Sequence, residues 1–160
     1  MKKTVFLFLV LFLIFPLSCK QQASLLEYQQ SEFQYHAKLV IKDCERAYTV
    51  VITRDNDNLM SLEFESPEEL SLISFQKNDS GVCALCNGEP WEGMTFPYAE
   101  GIFELFCIES ESFLSAESSK QGEVPICRAY FEGGVTVTLD QRNNSPLVIE
   151  NESLKLTIIK

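Results

Sequence analysis

Residues 33–66 read FQYHAKLVIKDCERAYTVVITRDNDNLMSLEFES, and this stretch decides the fold. Apolar and polar residues alternate in three runs, 33–42, 48–53 and 60–65. A period of two places successive side chains on opposite faces of a β-strand. Polar residues at 43–46 and 55–58 separate the runs and have the composition of turns. We therefore predict an antiparallel meander with one apolar face and one solvated face.

The rest of the domain is predicted to be mainly β, within an α+β class. Further strands are predicted at 70–76, 81–86, 124–131, 135–140, 146–149 and 154–159, with Pro67 and Asn87-Gly88 punctuating them. In segment 96–108, Tyr98, Ile102 and Phe106 recur at helical spacing, which predicts one short amphipathic helix. The Ser- and Glu-rich segment 110–122 is predicted to be a loop or irregular edge.

The amino terminus has the layout of a secretory signal peptide. Lys2 and Lys3 precede an uncharged apolar run at 5–15, and Ser18 then precedes Cys19. A basic start, a short apolar centre and a small residue before the cut are typical of such leaders. The apolar run is shorter than the roughly 20 residues that a transmembrane helix needs. We predict that residues 1–18 are a cleaved leader.

Leu17-Ser18-Cys19 resembles the lipobox of bacterial lipoproteins, in which the cysteine becomes diacylated. The resemblance implies a lipid on Cys19 that holds the protein at the extracytoplasmic face of a cell membrane. Residues 19–31 are then a lipidated tether with a short helix, and residues 32–160 are the folded domain. The alternative is an ordinary secretory leader with a cysteine near its end.

The charge of the chain excludes several kinds of partner. Without Lys2 and Lys3, 11 basic and 23 acidic residues remain, a formal net charge of −12. Nucleic-acid binding requires a basic surface, so we predict no nucleic-acid partner. Electrostatic adsorption to anionic lipid is disfavoured for the same reason. The acidity is best interpreted as a soluble extracytoplasmic surface.

Two stretches carry a resemblance to a known superfamily: LEFESPEEL at 62–70 and LDQRNNSPL at 139–147. With the order of elements, they resemble the lipoprotein-carrier half-barrel (LolA-like) superfamily. It includes the periplasmic carrier of outer-membrane lipoproteins, its membrane-bound acceptor, the sigma-factor regulator RseB and mycobacterial lipid carriers. The resemblance implies a strongly curved antiparallel sheet, one or two short helices on its concave side, and a cavity for acyl chains or apolar peptide segments. The carriers also place an arginine inside the cavity, and the resemblance assigns none here.

The predicted cavity lining consists of apolar residues on the inner face of the sheet and on the helix. These residues are Leu39, Ile41, Tyr48, Val50, Ile52, Leu62, Phe64, Ile102 and Phe106. A partly covered apolar face is the default place for a ligand, while plain core is the alternative interpretation. We predict a non-catalytic lipoprotein that binds a lipid or an apolar segment, with no cofactor. The alternative is a regulatory lipoprotein with a self-filled cavity that docks an envelope or spore-cortex enzyme, and a homodimer is also open.

No constellation of residues predicts catalysis or metal binding. Cys83 and Cys86 form a C-x-x-C in a strand context, where their side chains point to opposite faces and lie roughly 10 Å apart. A thiol-active protein using this pair is the third hypothesis. Extracytoplasmic cysteines tend to pair, so up to two disulfides are expected among the five after Cys19. His36, the single histidine, is predicted to be exposed on its strand.

An apolar-aromatic patch surrounds Trp91, with Met94, Phe96 and Tyr98. Such a patch is either a partner surface or a loop that folds back onto the core.

Overall fold

Eleven strands form one antiparallel sheet in a computed structural model that describes residues 27–29, 32–55 and 59–159. The strands are β1 (Phe33–Ile41), β2 (Arg46–Arg54), β3 (Met60–Ser66), β4 (Ile73–Asn78), β5 (Gly81–Cys86), β6 (Glu89–Pro90), β7 (Phe113–Gln121), β8 (Val124–Phe131), β9 (Thr136–Asp140), β10 (Ser145–Glu150) and β11 (Leu154–Ile159). Helix is limited to α1 (Ala99–Glu104) and five 3-10 turns within these residues. The prediction of a mainly β chain is confirmed.

The sheet is open. Its strand order is β6-β5-β4-β3-β2-β1-β11-β10-β9-β8-β7, so β6 and β7 are its two edges. The predicted meander of β1, β2 and β3 is confirmed, and β11 returns to pair with the other side of β1. Segment 110–122, predicted to be a loop or irregular edge, contains the nine-residue edge strand β7, whose register shifts between Phe113 and Ser115; the loop is wrong and the irregular edge is confirmed.

Alternation of side chains divides the sheet into a core face and an outer face. Across β1 and β2, Leu39 pairs with Tyr48 and Ala37 with Val50, which places the buried side chains of both strands on one face except for Val51. Lys38 pairs with Thr49 on the other face. The same alternation continues through β11, where buried Leu156 lies opposite Leu39. The period of two in the sequence thus fixes which face is buried.

The helix is shorter than predicted and packs close to the sheet. Within the predicted segment 96–108, only α1 is α-helical, and Ile102 and Phe103 are its largest buried residues. The structure explains why position 101 is a glycine. A Cβ atom there would lie only 3.3 Å from Leu154 Cδ1 on β11. The glycine therefore permits the close approach that the helix makes to the sheet.

Asn87 and Gly88 form the turn between β5 and β6. Asn87 and Gly88 both have positive φ, 51° and 80°, which a type I′ turn requires at its two central positions. The predicted hairpin turn is confirmed.

Candidate functional site

The side chains predicted to line a cavity lie mostly inside one packed cluster. Eight of the nine are between 0 and 5% exposed. These eight are Leu39, Ile41, Val50, Ile52, Leu62, Phe64, Ile102 and Phe106. Tyr48 is partly exposed and packs against the same cluster. The structure places these residues together as core, and their contact with a ligand stays a prediction.

Phe96 fills the end of this cluster that lies over β3 and β4. Its ring centroid is 5.6 Å from those of Phe64 and Phe75, and 6.3 Å from that of Tyr48. Rings at such distances in edge-on or tilted orientations attract one another beyond simple burial. Phe96 belongs to the segment 91–98, which contains turns but neither helix nor strand. A side chain from an irregular segment therefore completes the aromatic interior.

The predicted patch around Trp91 divides into two parts in the structure. Trp91 remains 44% exposed, although its backbone N–H donates to Ala84 O over 2.9 Å. Met94, Phe96 and Tyr98 pack against the core. The interpretation of a loop that folds back onto the core is confirmed for these three residues.

An apolar groove lies beside Phe96, between β4, β5 and the segment that leads into α1. Its volume is about 220 Å³. Its apolar lining consists of Phe75, Val82, Ala84, Met94, Phe96, Pro97 and Ala99, and its polar lining of Thr95 and Glu100. Ligand pockets commonly have volumes of roughly 300–1,000 Å³. As described, the groove has room for a short apolar group and not for a whole lipid.

Two further depressions have a different character. One, of about 340 Å³, is lined by Arg46, Ala47, Tyr48, Pro67, Glu69 and Leu70. A hydrogen bond with the Tyr48 hydroxyl raises the pKa of Arg46 there. The other, of about 420 Å³, includes Val148 and Thr157, which pair on the outer face of the sheet. Tyr48 is the predicted cavity residue that lines one of these three hollows.

Arg54 is the last residue of β2. It lies two residues after Ile52 and therefore on the same, core face of the strand. Its Nη1 donates to Gln29 O, its Nη2 lies 3.7 Å from Cys107 Sγ, and its Cζ is 6.0 Å from the centre of the Phe33 ring. Its Nε is buried and has no hydrogen-bond partner among the described residues. Sequence analysis missed this residue, although its spacing from Ile52 signals an inward position.

The 3-10 turn Glu27–Gln29 attaches the start of the domain to this end of the sheet. Tyr28 is 7% exposed, and Gln29 Nε2 donates to Tyr28 Oη over 3.1 Å. Burial raises the pKa of the Tyr28 phenol well above its ordinary value of 10.0. Of the predicted tether with its short helix, the described residues contain one 3-10 turn, in which Tyr28 is a buried anchor.

The raised pKa of Tyr28 predicts a loss of stability at high pH. The unfolded chain releases the phenol proton near pH 10, whereas the folded chain keeps it to higher pH. The free energy of unfolding should therefore fall above pH 10, with Tyr28 contributing up to about 1.4 kcal/mol per pH unit. Tyr28→Phe should remove this contribution, as measured by urea unfolding at pH 9, 10 and 11.

Tyr35→Phe is the matched control for this measurement. Tyr35 is about half-buried, and burial raises its pKa in the same direction, so its replacement should flatten the pH dependence less. If the Tyr28→Phe protein and the wild type lose stability with the same slope, Tyr28 is not buried as described.

Asp140 and Arg142 form an ion pair within the second stretch that carries the superfamily resemblance. Asp140 is 1% exposed, and its carboxylate accepts hydrogen bonds from Arg142 Nε at 2.9 Å, Nη2 at 2.6 Å and backbone N at 3.0 Å. The carboxylate in turn raises the pKa of the Arg142 guanidinium. Charge-assisted bonds of this geometry fix the β9–β10 turn, which is a structural role.

The five cysteines of the described residues are free thiols. Cys44, Cys83 and Cys107 are exposed, Cys86 is half-buried and Cys127 is buried. The expectation of disulfides is wrong for this structure, because no disulfide joins any two of these five described cysteines. Cys83 and Cys86 occupy β5, where they pair with Gln76 and Ile73 on opposite faces, as predicted for the C-x-x-C.

His36 is exposed, as predicted, and it has a carboxylate partner. Its Nδ1 lies 3.1 Å from Glu65 Oε1, and the two side chains are 48% and 42% exposed. Sequence analysis missed this pair, because the contact joins β1 to β3 across β2. An exposed pair of this kind contributes little to stability.

The described residues contain no cluster of three or more His, Cys, Asp or Glu side chains arranged to hold a metal ion. Their helices are too short and too polar to cross a bilayer. The leader at 1–18 and Cys19 lie outside the described residues.

A scan against protein-family models finds no match for this chain, and a search of curated proteins finds no similar sequence.

Proposed function

We propose that this chain is a lipid-anchored envelope protein of the half-barrel carrier type that binds an apolar ligand without catalysis. The ligand class is an acyl chain or an apolar peptide segment. The proposal rests on the predicted leader 1–18 with Cys19 directly after it, the mainly β sheet, and the aromatic interior that an irregular segment closes. Arg54, on the core face of β2, is the candidate for the cavity arginine that the resemblance leaves unassigned.

Strong curvature of the sheet is part of this proposal. The core cluster contains residues from β5, such as Ala84, and from β8, such as Ala129. Eight strand spacings separate β5 from β8 in the sheet order, and neighbouring strands lie about 4.8 Å apart. In a flat sheet these strands would be almost 40 Å apart. A bent sheet brings them toward a common interior, with α1 against its concave side.

We assign the ligand site to the space that Phe96 and the adjoining groove occupy. The observation that carries this assignment is that Phe96 contacts Phe64, Phe75 and Tyr48 from a segment without regular structure. Segments of this kind open at lower free energy than core strands do. Outward movement of residues 91–98 exposes the aromatic interior, and an apolar ligand then replaces the Phe96 ring.

Phe96→Ala should increase the binding of apolar ligands. Removal of the ring joins its volume to the groove of about 220 Å³. We expect the affinity for the fluorescent probe N-phenyl-1-naphthylamine to rise at least fivefold. We also expect a loss of about 2–3 kcal/mol in the free energy of unfolding, less than for a fully buried phenylalanine, because Phe96 is partly exposed.

Trp91→Ala is the control for this experiment, since Trp91 belongs to the same segment and is 44% exposed. It should leave probe affinity within twofold of the wild type. A folded Phe96→Ala protein that binds no more probe than the wild type would contradict the assigned site.

A second candidate function is favoured by the filled interior. Eight of the nine predicted lining residues are at most 5% exposed, as expected of an interior that its own side chains fill permanently. Such a lipoprotein acts through its surface, by docking another envelope protein. Native mass spectrometry of the protein extracted from membranes separates the two candidates. Co-purified lipid beyond the covalent anchor supports the first candidate. Absence of such lipid, together with no gain in probe affinity in the Phe96→Ala protein, supports the second.

A further inference from the structure

We infer that one end of the sheet faces the membrane and the other points away from it, an orientation that rests on the proposed lipid at Cys19. The near end is defined by Tyr28, Arg54 and Cys107. The far end is defined by the β1–β2 turn at 42–45 and the β10–β11 turn at 151–153. The partner of the near end is an anionic lipid bilayer.

The register of β1 separates these two ends. β1 begins at Phe33, which pairs with Arg54, and ends at Ile41, which pairs with Leu154 and Arg46. Nine residues of strand extend roughly 30 Å. Arg54 also bonds to Gln29 O and approaches Cys107, so the tether enters the domain at the end where β1 begins.

The length of the tether limits how far the near end can stand from the bilayer. Nine residue steps separate Cys19 from the buried Tyr28. A chain spans at most about 3.6 Å per residue, so Tyr28 lies within about 32 Å of the lipid-bearing residue. This reach is similar to the length of β1, so the tether keeps the near end within about one strand length of the bilayer.

The charges at the two ends favour the same orientation. At the far end, acidic residues greatly outnumber basic ones: Asp43, Glu45, Glu65, Glu68, Glu69, Glu89, Glu132, Glu150 and Glu152 lie with Lys42, Arg46 and Lys155. At the near end the acidic excess is smaller among the described residues: six acidic side chains, Glu27, Glu32, Asp55, Asp79, Glu123 and Asp140, lie with four basic ones, Arg54, Lys77, Lys120 and Arg142. An anionic leaflet repels an acidic surface within a Debye length. The far end therefore turns outward.

This orientation places the depression beside Tyr48 on the side of the domain away from the membrane. The depression beside Tyr48 includes Arg46, Pro67 and Leu70 and lies at the far end. It is therefore presented to molecules outside the bilayer, about one strand length from the anchored end.

Two native cysteines provide reporters at opposite ends. Cys107 is exposed at the near end, and Cys44 is exposed in the far-end turn. Single-reporter proteins keep Cys19 for the lipid and one of these two thiols, with the remaining cysteines changed to serine or, at buried Cys127, to alanine. Each is labelled with a small fluorophore and reconstituted in phosphatidylglycerol-containing vesicles that carry a spin-labelled headgroup quencher.

We expect quenching at Cys107 to exceed that at Cys44 at least twofold, and the difference to narrow in 1 M salt, where the Debye length is about 3 Å. A label at exposed Cys83, close to the near-end turn at 79–80, should behave like Cys107. Equal quenching at both ends of a vesicle-bound protein overturns the orientation. A protein that does not float with vesicles at all instead refutes the proposed lipid anchor.

Discussion

Changing Cys19 to serine should release the protein from membranes. The proposed diacyl anchor requires the cysteine thiol, and two acyl chains hold a protein firmly, whereas a single chain gives only marginal binding. A formal net charge of −12 after the leader disfavours electrostatic binding to anionic lipid as a replacement for that anchorage. We expect more than nine-tenths of the wild type in the membrane fraction and a similar share of the variant in the soluble fraction.

Fractionation of cells that express each protein, followed by mass spectrometry of the mature amino terminus, measures this effect. Cys44→Ser is the matched control, since it removes an exposed thiol at the far end and should leave the protein in membranes. Membrane retention of the Cys19→Ser protein after carbonate extraction would show that another feature anchors it. The same mass spectrum reports whether the chain is cut before residue 19.

The alternation of apolar and polar residues along the sequence was sufficient to predict most strands, because a strand with one buried face needs apolar residues at every second position. In β1, Ala37, Leu39 and Ile41 are buried and alternate with less buried residues, so the pattern and the structure express the same constraint. β7 lacked such a signal. From Leu114 to Gln121 it is exposed on both faces, so nothing selects apolar residues at alternate positions, and its Ser- and Glu-rich sequence has the composition of a loop.

The two edge strands of the sheet, β6 and β7, are both hard to predict from the sequence. β6 is two residues long and contains Pro90, a residue that is typical of sheet edges because it cannot donate to a ladder. β7 pairs with β8 along its whole length. Backbone hydrogen bonds to β8 hold β7 in place, and such bonds do not depend on which side chains the strand carries.

Sequence analysis identified the apolar residues of the candidate site but not how they are covered. Leu39, Val50 and Leu62 follow from the period of two, and all are buried. Their coverage depends on tertiary contacts from α1 and from Phe96, which local periodicity does not encode. The position of Arg54 was likewise missed, because its inward direction conflicts with the usual exposure of arginine.

This division between strands and covering residues has a functional consequence. The strands supply the apolar face, and in the proposed function Phe96 and its irregular segment determine how much of that face a ligand can reach. A carrier and a docking protein can therefore share the sheet and differ in the covering residues alone. The residues most informative about function are those that cover the core, and they are held by fewer backbone constraints than the strands.

Phe106→Ala should cause the largest loss of stability among single changes in the covering residues. Phe106 is 0% exposed, and its ring centroid lies 5.2 Å from that of Phe33 and 6.1 Å from that of Tyr35. Truncation removes the ring and leaves a cavity that the stiff strand beneath it cannot fill. A loss of about 3–5 kcal/mol is expected, which lowers the melting temperature by roughly 10 °C or more in a domain of this size.

Leu72→Ala is the control, because Leu72 is 57% exposed and its truncation should change the free energy of unfolding by no more than about 0.5 kcal/mol. Urea unfolding followed by far-ultraviolet circular dichroism measures both variants. The cavity left by Phe106→Ala is lined by apolar groups and should bind benzene, which would raise the melting temperature of that variant alone. A cost below 1 kcal/mol would mean that Phe106 does not pack against β1, and that the sheet and α1 do not enclose a common interior.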